Sequence, residues 1–160
     1  MRLYLLALAL ALLGSALAQR EVRLDLKAFR VVSIDQGGRV VERLEPALEV
    51  RPGQLIEYQL SAQNTTDKPL RQVALVIPVP KEAVFQGAFP LEGARLEFSY
   101  DGGRTYGQPP LKRKVRMVEG GREVEKEVEV KPEEYTHARW TLPELGAQQT
   151  VFLRLRAVVR

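Results

Sequence analysis

Ile56-Glu57-Tyr58-Gln59-Leu60-Ser61-Ala62-Gln63 decides the fold. Apolar side chains stand at 56, 58, 60 and 62, and polar ones at 57, 59, 61 and 63. Side chains that alternate between two faces make a strand with one dry and one wet side. Arg51-Pro52-Gly53 before it and Asn64-Thr65-Thr66-Asp67-Lys68-Pro69 after it are turn formers, so the strand is bounded at both ends.

The same alternation recurs in both directions. Toward the N-terminus, Val22, Leu24, Leu26 and Ala28 alternate with Arg23, Asp25 and Lys27; Gln36-Gly37-Gly38 reads as a turn and Arg39–Leu44 as a second strand. Toward the C-terminus, Val73–Val79 is continuously apolar, which predicts a strand covered on both sides, and Pro78 and Pro80 end it because proline donates nothing to a ladder. Leu96, Phe98 and Tyr100 form another strand pattern, as do Ala138, Trp140 and Leu142. Val151, Leu153, Leu155, Ala157 and Val159 form the last, with Arg154 and Arg156 facing out. Short strands at near-even spacing, divided by Gly and Pro turns, predict an all-β antiparallel sandwich.

Residues 111–130 interrupt that rhythm. Gly120-Gly121 suits a two-residue hairpin turn. Folding there sets Glu119 against Arg122, Arg116 against Glu125, Lys114 against Glu127 and Lys112 against Glu129, with Met117 opposite Val124 and Leu111 opposite Val130. Facing opposite charges contribute about 0.2–1 kcal/mol each. The Glu and Lys content would also suit a helix, but the Gly-Gly break and the valine alternation favour a charged hairpin projecting from the sandwich.

The bulk composition bounds the rest. Met1-Arg2, an apolar run from Leu3 to Leu13 and the small-residue end Ala16-Leu17-Ala18 predict a secretory signal peptide over residues 1–18, leaving 19–160 as a single sandwich domain. The run is shorter than the roughly 20 residues a membrane helix needs, so no stable membrane span is expected after cleavage. There is no cysteine, so the fold must stand on core packing without disulfides. The 24 basic and 20 acidic residues are interspersed; without a basic block, nucleic acid is not an expected partner.

From Arg51 to Val159 the chain carries, in order, a Pro-Gly turn, the polar/apolar strand ending in Asn64-Thr65-Thr66, the apolar run Val73-Ala74-Leu75-Val76-Ile77-Pro78, and Trp140-Thr141-Leu142-Pro143-Glu144-Leu145-Gly146 leading into Val151–Val159. This order resembles the conserved repeat domain of bacterial surface proteins, the domain of unknown function eleven. The resemblance implies an Ig-like sandwich used as a spacer or assembly unit in envelope and secreted proteins, with no catalytic residues to carry over. The chain departs from the pattern in holding one copy rather than a tandem array, and in inserting the 111–130 hairpin.

Motifs that could carry chemistry read as structure. Ser99-Tyr100-Asp101-Gly102-Gly103-Arg104-Thr105-Tyr106 fits the Asp-box pattern S-x-D-x-G-x-T-aromatic, a hairpin corner in which Asp101 caps backbone donors and Gly102-Gly103 supply the turn. One carboxylate without a D-x-D neighbour is a poor calcium ligand set. His137 is the sole histidine, lies on the polar phase of its strand, and has no partner for a metal site or a catalytic pair. Ser33, Ser61 and Ser99 lack a nucleophile elbow. Glu133 and Glu134 are adjacent, so on a strand they would diverge rather than act as a carboxylate pair. Asn64-Thr65-Thr66 has the form of a glycosylation sequon, read here as a loop.

No enzyme, cofactor or metal is therefore expected. The expected function is a non-enzymatic secreted or cell-envelope module, periplasmic, cell-surface or extracellular, that contacts another exported protein or a second copy of itself. The candidate contact residues are Lys112, Lys114, Arg116, Glu125, Glu127 and Glu129. The alternative is a module for surface polysaccharide or another ligand, whose loop aromatics would be Phe85, Phe89, Tyr106 and Tyr135. If the leader reading holds, peptide mapping of exported material finds Gln19 at the N-terminus, cyclised to pyroglutamate; intact Met1 or Arg2 on the mature product would contradict it.

Overall fold

The structure, a computed structural model, describes residues 21–160 and the short strand Leu3–Tyr4. Apart from that strand, the signal peptide expected over residues 1–18 lies outside the described residues. The strands are β1 (Leu3–Tyr4), β2 (Val22–Gln36), β3 (Arg39–Pro46), β4 (Glu49–Val50), β5 (Leu55–Asn64), β6 (Leu70–Pro78) and β7 (Ala83–Ala88), followed by β8 (Arg95–Ser99), β9 (Lys112–Glu119), β10 (Arg122–Glu129), β11 (His137–Leu145) and β12 (Thr150–Val159). Among the described residues a single 3₁₀ turn, Pro132–Glu134, lies between β10 and β11.

These strands build an all-β antiparallel sandwich. One sheet has the order β3-β2-β5-β12-β7 and the other β6-β11-β8, while β9 and β10 pair only with each other. The alternation that identified β5 fixes its face: Ile56, Leu60 and Ala62 are wholly buried and Tyr58 nearly so. Val151, Leu153, Leu155 and Ala157 of β12 join them from the same sheet; Leu75, Ile77, Ala138, Trp140 and Leu142 close the core from the other. A one-residue slip would turn each such set into water, so register and core specify one another.

Two polar side chains tie the sheets together inside this core. The Trp140 indole donates from Nε1 to the Phe89 carbonyl, 2.9 Å away, joining β11 to the segment after β7. Asn64, wholly buried, donates to the carbonyls of Lys68 (2.7 Å), Leu145 (3.1 Å) and Gly146 (3.0 Å). Its Oδ1 accepts from the Thr66 amide and hydroxyl. The sequon asparagine is thus an internal clamp between the β5–β6 and β11–β12 loops, with no exposed amide for a glycan.

Three sequence expectations need correction. The run Val73–Val79 was expected to be covered on both faces, but β6 is an edge strand; Leu75 and Ile77 are buried while Ala74 is exposed. Its apolar outer residues gain only the partial cover that one neighbouring strand gives. The strand starting at Val22 does not end near Ala28: β2 runs unbroken to Gln36, pairing with β5 over Val22–Arg30 and with β3 over Phe29–Gln36. Its distal half and β3 therefore form a hairpin arm closed by Gly37 (φ 66°) and Gly38 (φ 86°), whose positive φ values suit glycine. Glu57, placed on the wet face by its phase, has no solvent exposure at all. Arg156 Nε donates to it at 2.8 Å, Gln59 at 2.7 Å, and Arg154 lies 3.8 Å away.

Candidate functional site

The Asp101 corner follows from its residue types. Gly102 (φ 79°) and Gly103 (φ 86°) turn the chain through a region that side chains resist, and a Cβ on Gly103 would stand 3.1 Å from the Tyr106 hydroxyl. The Asp101 carboxylate then faces donors only. Oδ1 accepts from the Ser99 hydroxyl (2.7 Å) and the amides of Arg104 (3.1 Å) and Thr105 (2.9 Å); Oδ2 accepts from the Thr105 hydroxyl (2.6 Å). Ser99 Oγ also accepts from the Gly103 amide, and the Gly102 amide donates to the hydroxyl of Thr136, the residue before β11. The Thr105 hydroxyl, then its amide, hold the Asp101 carboxyl well below its usual range. A carboxylate that already accepts four hydrogen bonds, three on Oδ1 and one on Oδ2, is held as a turn cap. Among the described residues, no group of three or more His, Asp or Glu is placed to hold a metal.

His137 is half-buried beside this corner, its Nδ1 2.9 Å from the Thr136 hydroxyl. Burial lowers its pKa against a smaller upward pull from Asp101, so the ring is neutral at ordinary pH. Sequence phase placed it on the surface; the Gly103 turn, whose Cβ position lies 3.6 Å from the ring, covers part of it.

The hairpin β9–β10 carries the other singled-out residues. Its pairs include Glu119 with Arg122, Arg116 with Glu125, Lys114 with Glu127 and Lys112 with Glu129, the register read from the sequence. Gly120 (φ 57°) and Gly121 (φ 76°) close it. Lys112, Lys114, Arg116, Glu125, Glu127 and Glu129 all fall on one face, because directly facing residues share a side. The ion pairs, however, run diagonally: Lys114 meets Glu125 at 3.0 Å, Lys112 meets Glu127 at 3.1 Å, and Lys126 meets Glu119 across the other face. Twist brings the diagonal neighbour within reach of a long side chain. Among the described residues, Arg116, Arg122, Glu123 and Glu129 form no ion pair. The pairs that do form are about half exposed or more, so each stabilises little.

At its base the ribbon is anchored. Leu111 and Val130 are buried in the sandwich core, the Val130 amide donates to the Leu111 carbonyl at 2.8 Å, and Arg113 donates to Glu134 at 2.7 Å. Beyond that, Met117 is 41% and Val118 69% exposed. The ribbon stands off the body with both outer edges unpaired.

The aromatic reading needs correction. Phe85 and Tyr135, expected in loops, are buried in a three-ring cluster with Phe98: Tyr135 stacks on Phe98 (5.0 Å between centroids), Phe85 meets Phe98 edge-on (5.3 Å), and Phe85 and Tyr135 are tilted at 5.4 Å. Phe89 lies under the Arg154 guanidinium (4.0 Å) and Tyr106 under that of Arg139 (3.9 Å). Phe152, on the outer phase of β12, is exposed and was not singled out.

The turn at Gly37-Gly38 and the strand from Arg39 were read from the sequence; what the β2–β3 arm carries was not. Glu42 at its side makes a bidentate bond to Arg156 (3.1 and 2.8 Å), extending the Glu57–Arg156 pair to the sheet edge. An open cleft of about 620 Å³ lies between the arm and the Gly53 turn, lined by Arg30, Ser33, Glu42, Glu45 and Gln54. Folding at Gly37-Gly38 sets Val31 against Leu44, Ser33 against Glu42 and Ile34 against Val41, a second two-glycine hairpin like the first.

Among the described residues, no helix is long and apolar enough to cross a membrane. No protein-family model, curated protein or solved structure matches the chain.

Asp101→Ala removes four accepted hydrogen bonds at an exposed turn and is expected to cost about 0.5–2 kcal/mol, by analogy with lost helix caps. Because the folded pKa is depressed, the corner's contribution is fully present above the ordinary carboxyl value of 3.8 and is lost as pH falls below it. Urea titrations of wild type and variant should converge in strong acid, and calcium should leave both melting temperatures unmoved; a calcium-induced rise of many degrees would make the corner a metal site.

Proposed function

We propose that this chain is a non-enzymatic β-sandwich module of the exported or envelope compartment that holds another protein through the β9–β10 ribbon. The observation that carries this reading is the ribbon itself: two strands of eight residues, rooted in the core at Leu111 and Val130, with both edges unpaired. Free strand edges present unsatisfied backbone donors and acceptors to any incoming strand, and strand addition is an established mode of recognition. Three of the other edges offer less: β7 changes register between its pairs with Arg156 and Ala157, β6 carries Gln72 at a φ of 50°, and β8 is bridged by Gly107; β3 is a further free edge, but it has one open side where the ribbon has two.

Two sequence features support the compartment and the Ig-like assignment: the leader pattern over residues 1–18 and the resemblance to the surface-protein repeat domain. The Glu57–Arg156–Glu42 network and the Asp101 corner rigidify the body and have no part in the ribbon contact. For the polysaccharide alternative, the four aromatics first considered give no open ring pair, two being buried and two capped by arginine.

Replacing residues 112–129 by a short Gly-Ser turn tests the proposal. The sandwich should keep its circular dichroism and cooperative melt, since the ribbon adds little to the core, while association with envelope material is lost. Unchanged association in the folded variant would contradict the proposal.

A further inference from the structure

β3 closes the five-stranded sheet with its outer side unpaired. Two of its side chains are apolar and exposed, Val40 at 69% and Leu44 at 39%. Its register against β2, from Gln36 with Arg39 to Phe29 with Pro46, runs on to Ala47, whose amide donates to the Ala28 carbonyl at 3.0 Å. In an antiparallel ladder each residue directs its amide and carbonyl to the same neighbour, and successive residues alternate. Arg39, Val41, Arg43 and Glu45 therefore bond to β2, while Val40, Glu42 and Leu44 direct their donors and acceptors outward. Pro46 has no amide and ends the edge.

A second copy of β3 fits this edge. A two-fold axis perpendicular to the sheet pairs the strands antiparallel and turns neither copy over. Even residues then meet even residues on one face, and odd meet odd on the other. With the axis through Glu42, Val40 faces Leu44 of the second copy and Arg39 faces its Glu45, each contact occurring twice. The outward groups of Val40, Glu42 and Leu44 exchange about six backbone hydrogen bonds. Directly opposite apolar pairs and opposite charges both stabilise a ladder, and among the described residues Arg39 forms no ion pair in its own chain. Glu42 meets Glu42, but Arg156 of its own copy already holds each carboxylate at 3.1 and 2.8 Å. Other registers lose the fit. An axis through Val41 sets Arg39 against Arg43. One through Arg43 sets that arginine against itself and Leu44 against Glu42. One through Leu44 brings in Pro46.

The bodies leave room for this pairing. β5 pairs with β2 only over Val22–Arg30, whereas β3 lies beside Phe29–Gln36, so the arm overhangs the end of the sheet. Glu42 faces Ser33, which puts the near end of each body about 10 Å from the axis along the strands. Antiparallel pairing sends the two bodies to opposite sides of that axis.

We propose that β3 is a dimerisation edge: two copies of this chain pair antiparallel about a two-fold axis at Glu42, joining their five-stranded sheets into one. The ribbon takes no part, so each dimer carries two of them. A single strand edge is a small contact beside the roughly 1,200 Å² of a stable interface, and the dimer is accordingly concentration-dependent. The two-fold contact uses up the edge on both copies, so growth through it stops at two.

Sedimentation velocity on the full chain tests this. The weight-average mass should rise with concentration toward twice the monomer, and replacing residues 112–129 by a short Gly-Ser turn should leave that rise unchanged. Val40→Pro removes an amide that points away from β2, so the melt should stay; it takes a hydrogen bond from each copy and should weaken dimerisation about tenfold or more. Arg39→Glu and Glu45→Lys each set like charges opposite one another across the axis, and each should be monomeric alone. Mixed, the two should dimerise, because each supplies the sign the other lacks. A chain monomeric at every concentration would overturn the proposal. So would a dimer lost with the ribbon, a dimer untouched by Val40→Pro, or charge variants that melt as wild type and stay monomeric when mixed. Loss of envelope association on ribbon replacement, with the dimer retained, supports both proposals; retained association and a retained dimer remove the ribbon reading alone.

Discussion

The hydrogen bond from the Trp140 indole to the Phe89 carbonyl is the constraint on which the rest of the sandwich hangs. In a chain without cysteine, two sheets are held by apolar packing that has no direction of its own. A wholly buried ring whose one polar atom needs a partner supplies direction: β11 must lie where Trp140 reaches the end of β7. With β11 fixed as the middle of its sheet, β6 and β8 become edges. The connection from β8 back to β11 must then leave and re-enter at the same rim, and the ribbon is that connection. Asn64 performs the same service at the opposite end, fixing two loops through five hydrogen bonds. Buried polar groups that are fully satisfied specify one arrangement, because any other leaves them unpaired.

The outer face of the five-stranded sheet is held differently. Glu57 has no solvent exposure, and burying a carboxylate is favourable only with close partners. Arg156 supplies one and in turn grips Glu42, so the ionic chain runs from β12 across β5 to β3. It anchors the β2–β3 arm to the body over a span where β5 has already ended. The contrast with β9–β10 is instructive. Both are hairpins closed by two glycines, but one is braced by an ion-pair network rooted on the buried Glu57, whereas the other has only exposed pairs beyond its base. Exposed pairs add little stability, and on that ground the ribbon is expected to open more readily than the arm.

Sequence reading captured what periodicity encodes and missed what depends on partners. β5, β11 and β12 were legible because strict alternation leaves one choice of face, and the ribbon register was legible because two glycines and eight alternating positions admit one fold-back. Glu57 was misjudged because phase gives the direction of a side chain but not what lies over it; Arg154 and Arg156 arrive from a strand about a hundred residues later. Phe85 and Tyr135 were taken for loop rings because each sits beside a turn, yet both pack on Phe98, Tyr135 stacked and Phe85 edge-on. The length of β2 was hidden because polar Ser33 and Asp35 continue an alternation whose partner, β3, follows rather than precedes it. The facing charges of the ribbon were read correctly as to register and wrongly as to contact, since sheet twist favours the diagonal.

We propose that the β9–β10 ribbon is an open, weakly held element on a rigid body, covered when this protein meets a partner. Hydrogen exchange resolved along the chain tests this most directly. In dilute solution, amides over residues 112–129 should exchange far faster than those of β5, β11 and β12, and with the partner bound the ribbon should gain protection while those strands are unchanged. Partner binding that protects the β2–β3 arm instead of the ribbon, or a ribbon already as slow as the core in dilute solution, would contradict it.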